Sequence, residues 1–207
     1  MLNFEIMQKH EGLRLLGSAD DFRRFHGILH DVNERSPVVF DKEGVFIALA
    51  YDVRKASEGQ RLIRKATKHD PYSGPTLGVD ISWPTILVQC RMLRVSVGFI
   101  DSSKLHQAFA YAFEGLVDEG LQEDFAVDYQ RIQERYLALQ PEHPWLEEKC
   151  SSRIEHWARW TASERQRGLI ALLESLDPMF PFDYEMRMKR GDAGLMSPEE
   201  WDATDVD

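Results

Sequence analysis

The chain has 207 residues, of which 43% are hydrophobic and 11% aromatic. These values are typical of a globular protein with a substantial core and argue against an intrinsically disordered chain. No apolar run approaches the roughly 20 residues of a membrane-spanning helix, and the amino-terminal segment lacks a secretory signal pattern. We therefore expect a soluble protein with no membrane partner. The two cysteines, Cys90 and Cys150, favour a reducing, cytoplasmic compartment over a disulfide framework.

The formal net charge of −10 is unevenly distributed along the chain. Residues 191–207 contain six acidic residues and no base, whereas residues 54–69 contain six bases and a single acid, Glu58. The acidic total disfavours nucleic acid as a partner, although the local charge of +5 at 54–69 keeps that partner open. Opposite charges of this size can meet a partner, meet each other, or simply form a solvated surface.

The amino-terminal segment predicts a β-hairpin followed by a helix. Apolar and polar residues alternate over 2–6, as in a half-buried strand, and 13–16 predicts the strand that pairs with it. Ser18 then supplies a capping side chain for a helix over 19–34, and Pro37 follows its end.

The next feature is an apolar run at 45–53, interrupted by a single aspartate. A run of this length, rich in β-branched and aromatic residues, predicts a strand that is buried on both faces. We expect residues 38–40 and 45–51 to form a second hairpin around a turn at 41–44. This strand would lie near the middle of the sheet.

The basic segment after this run predicts a helix with two possible starts. Asp52 could cap the helix directly, or Ser57 could cap it with Gln60 completing a capping box. We favour Ser57, because Gly59 then falls in the first turn, where glycine is better tolerated than in a helix interior. A loop is predicted over 68–78 from its glycine and proline content.

The middle of the chain predicts one more strand and several helices. Alternation over 77–81 indicates the strand, and Ser82-Trp83-Pro84 is typical of a helix start. Over 84–97 we favour a helix, with a strand as the alternative. Helical spacing then predicts four further helices, at 101–120, 123–139, 145–160 and 161–176.

A late strand is predicted over 180–189, where apolar and polar residues alternate. Because Pro181 lacks an amide hydrogen, we expect this strand to lie at a sheet edge or to start late. The fold class is therefore α+β: a small, mostly antiparallel sheet, formed by the amino-terminal hairpins and the late strand, packed against several helices. We expect one domain at 1–190 and an acidic tail at 191–207, with the domain divided into an α/β unit at 1–121, a helical half at 122–178 and the late strand.

No sequence motif predicts a catalytic residue or a cofactor. A P-loop, a G-x-G-x-x-G turn and a nucleophile elbow are all absent. His26 and His30 are four residues apart and could share one helix face, a spacing that serves zinc in some enzymes. No third ligand is identifiable, so the pair is a weak metal candidate and no metal is predicted.

The bend between the apolar run and the basic segment is the one place where a binding mechanism can be built. A helix that begins at Ser57 would point its free amide groups toward the same space as the nearby cations, as in anion-binding sites. The candidate residues for an anion such as phosphate or carboxylate are Arg54, Lys55, Ser57, Gly59 and Arg61. The alternative is a structural network in which Tyr51 and Asp52 hold the bend together with Arg54.

The pattern Tyr51-Asp52-x-Arg54-x-Ala56-x-x-Gly59-x-Arg61, together with Trp83-Pro84 and Leu93-Arg94, resembles a family of small bacterial cytosolic proteins defined only as a domain of unknown function. The resemblance covers residues 2–121. It implies an amino-terminal α/β unit and a bacterial source, and it implies no activity.

We expect a non-enzymatic protein that binds another macromolecule, with an immunity-like or regulatory role. This expectation rests on the missing catalytic spacing and on the concentrated opposite charges. The partner would be another protein or a second copy of this chain. The alternative is an enzyme that binds an anionic small molecule at the bend between Tyr51 and Arg61.

Overall fold

The computed structural model describes residues 2–65 and 74–203. Within these ranges, four strands form one antiparallel sheet in the order β1-β2-β4-β3. The strands are β1 (Asn3–Ile6), β2 (Gly12–Gly17), β3 (Leu62–Arg64) and β4 (Thr76–Ser82). Helices pack against this sheet, so the predicted α+β class is confirmed. The amino-terminal hairpin and the strand predicted at 77–81 are confirmed as well.

β2 and β4 form the centre of the sheet. Leu15 of β2 lies opposite Phe4 of β1 on one side and opposite Val79 of β4 on the other. β3, which the sequence did not predict, adds to the far edge of β4 with Ile63 opposite Leu77. Leu13, Leu15 and Leu16 of β2 are all buried, as expected for a central strand.

The first two helices, α1 (Ala19–Arg35) and α2 (Val45–Ser57), pack against each other and against the sheet. The start of α1 is confirmed: the Ser18 and Asp21 side chains each accept the other residue's backbone amide in a capping box. The strand predicted at 45–53 is wrong, because these residues belong to α2. The hairpin predicted between 38–40 and 45–51 is therefore wrong too.

α2 resembles a strand in sequence because it is enclosed on most sides. Its buried residues recur at helical spacing, but apolar residues also fill the positions between them. A short, continuous apolar run cannot be assigned to a buried strand or a buried helix from periodicity alone. The buried set is Phe46, Ile47, Leu49, Ala50, Val53 and Ala56.

The centre of the molecule is α3 (Trp83–Phe99), which packs against the sheet and against six other helices. Pro84 lies in its first turn, where the missing amide hydrogen costs nothing. The predicted helix over 84–97 is confirmed, and the strand alternative is wrong. α3 leads into α4 (Lys104–Asp124), whose start at Ser103 is another capping box.

Five further helices follow in the described part of the chain: α5 (Tyr129–Ala138), α6 (Trp145–Arg159), α7 (Ala162–Glu174), α8 (Phe180–Arg190) and α9 (Pro198–Asp202). The predicted capping box at Thr161 is confirmed at the start of α7. α5 is shorter than the helix predicted at 123–139, because α4 continues to Asp124 and a turn separates the two helices.

The late strand predicted over 180–189 is wrong, because these residues form α8. Pro181 lies in the first turn of this helix rather than at a sheet edge. Gly191 ends α8 with φ of 87°, the left-handed conformation that glycine adopts most readily. The alternating pattern survives in a helix because α8 buries none of its residues, so that no single face has to be apolar.

The loop predicted at 68–78 lies largely outside the described residues, and β4 begins within it at Thr76. The division of residues 1–190 near 121 and 178 stays a prediction. Within the described ranges, every helix is too short or too polar to span a lipid bilayer.

Candidate functional site

The basic segment lies at the carboxyl end of a helix, not at the start of one. α2 ends at Ser57, whose hydroxyl donates to the Arg54 carbonyl oxygen at 2.7 Å. Gly59 follows with φ of 73°, a turn conformation, before the chain enters β3. The helix start predicted at Ser57 is therefore wrong. The backbone groups that this end of α2 directs past the last turn are carbonyl oxygens rather than amide hydrogens, and those of Arg54, Lys55 and Ala56 accept hydrogen bonds from the chain that follows.

The two arginines of this bend contact groups within the chain. Arg54 and Lys55 lie in the last turn of α2, where the negative end of the helix dipole favours positive charge and disfavours a bound anion. Arg61 donates to Asp52 at 2.7 Å, and the Arg54 guanidinium lies 5.6 Å from the centre of the Tyr51 ring. The structure thus pairs Arg61 with Asp52 and places Arg54 beside Tyr51. The described residues of this bend do not present a group of backbone amides that could bind an anion.

The two histidines of α1 lie together but lack further ligands. The ring centroids of His26 and His30 are 5.6 Å apart. Burial, and then the neighbouring His30, lower the pKa of His26. The described residues contain no group of three or more His, Cys, Asp or Glu side chains that could hold a metal ion. Two imidazoles alone do not complete the tetrahedral shell that zinc prefers.

Neither cysteine is placed to act as a nucleophile. Both thiols are free and buried. Burial raises the pKa of Cys90 to about 12 and that of Cys150 to about 11. The Tyr136 hydroxyl donates to the Cys90 sulfur at 3.2 Å. Because the thiolate is the reactive form, both side chains are inert near neutral pH.

A cleft of about 540 Å³ lies between α5, α7, α8 and the segment that contains α9. This volume falls within the range of about 300–1,000 Å³ that is usual for ligand sites. The aromatic and apolar side chains of its lining include Trp160, Phe180, Phe182, Tyr184, Met196 and Trp201. Charged side chains from three helices complete the lining.

The α8 wall of the cleft combines charge with aromatic flanks. Asp183, Arg187 and Arg190 are spaced four and three residues apart, so they share one helix face, and all three line the cleft. Phe180 and Phe182 flank this charged stripe and line the cleft as well. α8 therefore presents a polar centre between two apolar edges.

The opposite wall is the surface of α7. Gly168, Ala171 and Glu174 recur every three residues and line the cleft. The Trp160 ring packs against Gly168, and Ala171 is exposed. The Glu174 carboxylate accepts from Arg135 of α5 at 3.0 Å and from Arg187 of α8 at 3.2 Å. This carboxylate, held between two guanidinium groups, ties three helices together at one end of the cleft.

The carboxy-terminal segment closes a third side of the cleft. Trp201 of α9 is buried, and Asp202 beside it accepts from Lys149 at 2.5 Å and from the fully buried Arg153. Partial burial acts to raise the pKa of Asp202, but the hydrogen bonds from Lys149 and Arg153 outweigh it and lower that pKa. The described part of the acidic tail thus meets α6 through Asp202 and α8 through Asp192, not the basic segment near α2.

A second polar cluster ties the amino-terminal hairpin to α4. His10 Nδ1 lies 2.8 Å from Asp124, and the Trp83 indole donates to the other Asp124 oxygen at 2.7 Å. Lys9 and His10 both have positive φ, 60° and 54°, which is uncommon for residues with a side chain. Both oxygens of Asp124 have partners, so we interpret this cluster as a structural link.

The sequence did not predict the cleft residues, because they come together only in the folded chain. Arg135 and Glu174 lie on different helices, and no local spacing connects them. For α8 a signal was present. Pro181 at the start, Gly191 at the end and basic residues in the last turn together indicate a helix. The alternation of apolar residues outweighed these signals.

No curated protein and no solved structure matches this chain. The model of one protein family matches residues 2–186, well beyond the stretch 2–121 that carries the sequence resemblance. The expectation of a family defined as a domain of unknown function is confirmed, while the bacterial source and the motif at 51–61 stay predictions. The match ends within α8, before the segment that closes the cleft. The chain belongs to the family of the domain of unknown function DUF6904.

Proposed function

We propose that this protein is a non-enzymatic binding protein that holds an apolar segment of a partner protein in the cleft between α7 and α8. One observation carries the proposal: α8 buries none of its residues and leaves large apolar side chains exposed beside an open cleft. Phe182, which lines the cleft, is 56% exposed, and Met188, elsewhere on α8, is 46% exposed. Large apolar side chains left exposed beside a cleft are typical of interaction surfaces.

The charges of the cleft define the chemistry of the partner segment. Arg187 is already paired with Glu174, whereas the side chains of Asp183 and Arg190 have no partner in the described part of the chain. These two residues are two turns apart, about 10 Å along the helix axis. A complementary segment carries apolar residues with a base near Asp183 and an acid near Arg190.

The enzyme alternative is not favoured by the geometry of the bend between Tyr51 and Arg61. Its premise was a helix start at Ser57, and α2 ends at that residue. We include in the proposal a cytoplasmic location and a bacterial source, which the cysteine usage and the sequence resemblance favour.

A selection from random displayed peptides on the purified protein tests the proposal. We expect a consensus of apolar residues accompanied by an acid and a base. A labelled consensus peptide should bind Ala171→Trp at least about tenfold more weakly than wild type, because the indole would fill the cleft from the α7 wall. Arg190→Glu should weaken binding of the peptide and should favour a peptide in which the acid is replaced by lysine.

The matched control is Ala126→Trp, which adds the same side chain at an exposed position that does not line the cleft. It should bind the consensus peptide as wild type does. A selection that yields no consensus, or peptides that bind wild type and Ala171→Trp equally, would contradict the proposal.

A further inference from the structure

The outer face of α4 is an exposed apolar surface that no described element covers. Leu105 is 54% exposed and Tyr111 is 61% exposed. The opposite face of the same helix is buried in the core through Ala110, Phe113, Val117 and Leu121. Eight of the exposed positions of α4 recur at helical spacing along most of the helix: Lys104, Leu105, Ala108, Tyr111, Ala112, Gly115, Glu119 and Gln122.

Tyr111 is the centre of this face and is held in place. The Arg94 guanidinium lies 3.8 Å from the centre of the Tyr111 ring, and Arg94 itself donates to Glu114 at 2.7 Å. A ring that is already fixed loses little conformational freedom when a partner packs against its open side. Space for that partner exists beside the ring, because a Cβ atom added at Gly115 would contact nothing within 4 Å.

We propose that this face pairs with the same face of a second copy, with the two α4 helices antiparallel about a two-fold axis between Tyr111 and Ala112. Each residue then lies opposite the residue equally far beyond the axis. Tyr111 packs on Ala112 of the second copy, and Ala108 lies opposite Gly115. A two-fold contact uses the same surface on both copies, so one self-complementary face is sufficient.

The charges at the ends of the face select this arrangement. In the antiparallel pair, Lys104 lies opposite Glu119 of the second copy, and this contact occurs twice. Neither side chain has a partner in the described ranges. A parallel pair would instead bring Lys104 to Lys104 and Glu119 to Glu119. Like charges in direct opposition disfavour an arrangement, so the antiparallel pair is the one that the surface fits.

The contact is small, so the dimer should be weak and concentration-dependent. α4 has 21 residues and is therefore about 30 Å long. A single helix pair of this length buries less than the standard protein interface and resembles transient complexes in size. Sedimentation velocity of the full chain across a wide range of concentrations should show a reversible monomer–dimer equilibrium.

Charge exchange tests the register. Lys104→Glu alone and Glu119→Lys alone should each weaken the dimer at least about fivefold, because each places like charges opposite one another. The double variant should restore dimer formation to near the wild-type level, because the opposite charges face each other again. Equal amounts of the two single variants should form a mixed dimer.

An engineered disulfide gives a second test. Ala112→Cys lies beside the two-fold axis, so mild oxidation should link two copies covalently. The control is Gln122→Cys on the same face, whose two copies would lie about 30 Å apart and beyond the reach of a disulfide. Cys90 and Cys150 are buried and should not interfere.

A protein that stays monomeric at every concentration would overturn this inference. So would a dimer that neither single charge change weakens, or equal cross-linking of Ala112→Cys and Gln122→Cys. Circular dichroism of each variant shows whether the fold is kept, and the exposure of all four positions makes unfolding an unexpected cause.

Discussion

At the scale of single residues, the buried guanidinium of Arg153 shows how the carboxy-terminal segment is held. The side chain is fully buried, and its donors are taken by the Ser152 and Ser175 hydroxyls, the Trp201 carbonyl oxygen and the Asp202 carboxylate. A buried cation that loses its counter-ion leaves an uncompensated charge, which is strongly destabilising. Asp202 therefore matters to stability although it lies near the end of the described chain.

Asp202→Asn should lower the free energy of unfolding by about 1–2 kcal/mol near neutral pH. The Asp202 side chain is 38% exposed, so solvent reduces the cost below the 3–5 kcal/mol typical of a fully buried pair. The folded-state pKa of Asp202 lies below its ordinary value of 3.8, so its stabilisation is complete above about pH 4 and is lost as the pH falls through the folded-state pKa.

Urea unfolding of wild type and Asp202→Asn from neutral to acid pH measures this effect. The difference between the two proteins should shrink below about pH 4. Asp192→Asn is the control, because its partner Arg187 is exposed and such pairs contribute less than about 1 kcal/mol. A difference that stays constant to the acid end would contradict the assignment.

The two cysteines should be unreactive in the folded protein. Their buried thiols, with pKa values raised to about 12 and about 11, leave almost no thiolate at about pH 8. Iodoacetamide should add to neither residue in the native protein and to both after unfolding in urea, as measured by intact mass. Rapid modification of either residue in the native state would show that it is accessible.

At the scale of secondary-structure elements, the sequence predicted best those segments that carry both a cap and a one-sided apolar pattern. α1 has a capping serine and a single buried face, and its bounds were predicted to within one residue. α2 and α8 failed for opposite reasons. α2 is buried on so many sides that its apolar residues show no clear helical period. α8 buries none of its residues, so its apolar residues need not follow a helical period.

Two glycine substitutions separate close packing from helix propensity. A Cβ atom on Gly12 of β2 would lie 2.0 Å from the Ile81 carbonyl oxygen, a backbone atom that cannot move without disturbing the sheet. Gly12→Ala should therefore lower the free energy of unfolding by about 3 kcal/mol. Gly27 lies within α1 with nothing near an added Cβ atom, so Gly27→Ala should raise that free energy by up to about 1 kcal/mol.

Chemical denaturation of the two variants beside wild type provides the measurement. Shifts in opposite directions would agree with the packing described for β2 and α1. A neutral Gly12→Ala would mean that β2 and β4 approach each other less closely than the register between Gly12 and Ser82 implies.

At the scale of the whole molecule, the candidate site is a product of tertiary structure. Its walls come from α5, α7, α8 and the carboxy-terminal segment. At one end of the cleft, the Glu174 carboxylate pairs with both Arg135 and Arg187. The charge layout did predict that the basic segment at 54–69 and the acidic tail at 191–207 differ in charge. It did not predict the partners of either segment, because Asp202 pairs with Lys149 of α6, whereas Arg61 and Arg64 pair with Asp52 and Glu5.

Amide hydrogen exchange of the protein with and without the selected consensus peptide tests the central claim most directly. When a partner segment occupies the cleft, amide hydrogens across α8 and in residues 168–174 of α7 should exchange more slowly, because local opening of both walls becomes less favourable. The turn at 57–61 should exchange at an unchanged rate. Protection confined to that turn, or no change in α8 at saturating peptide, would contradict the cleft as the binding site.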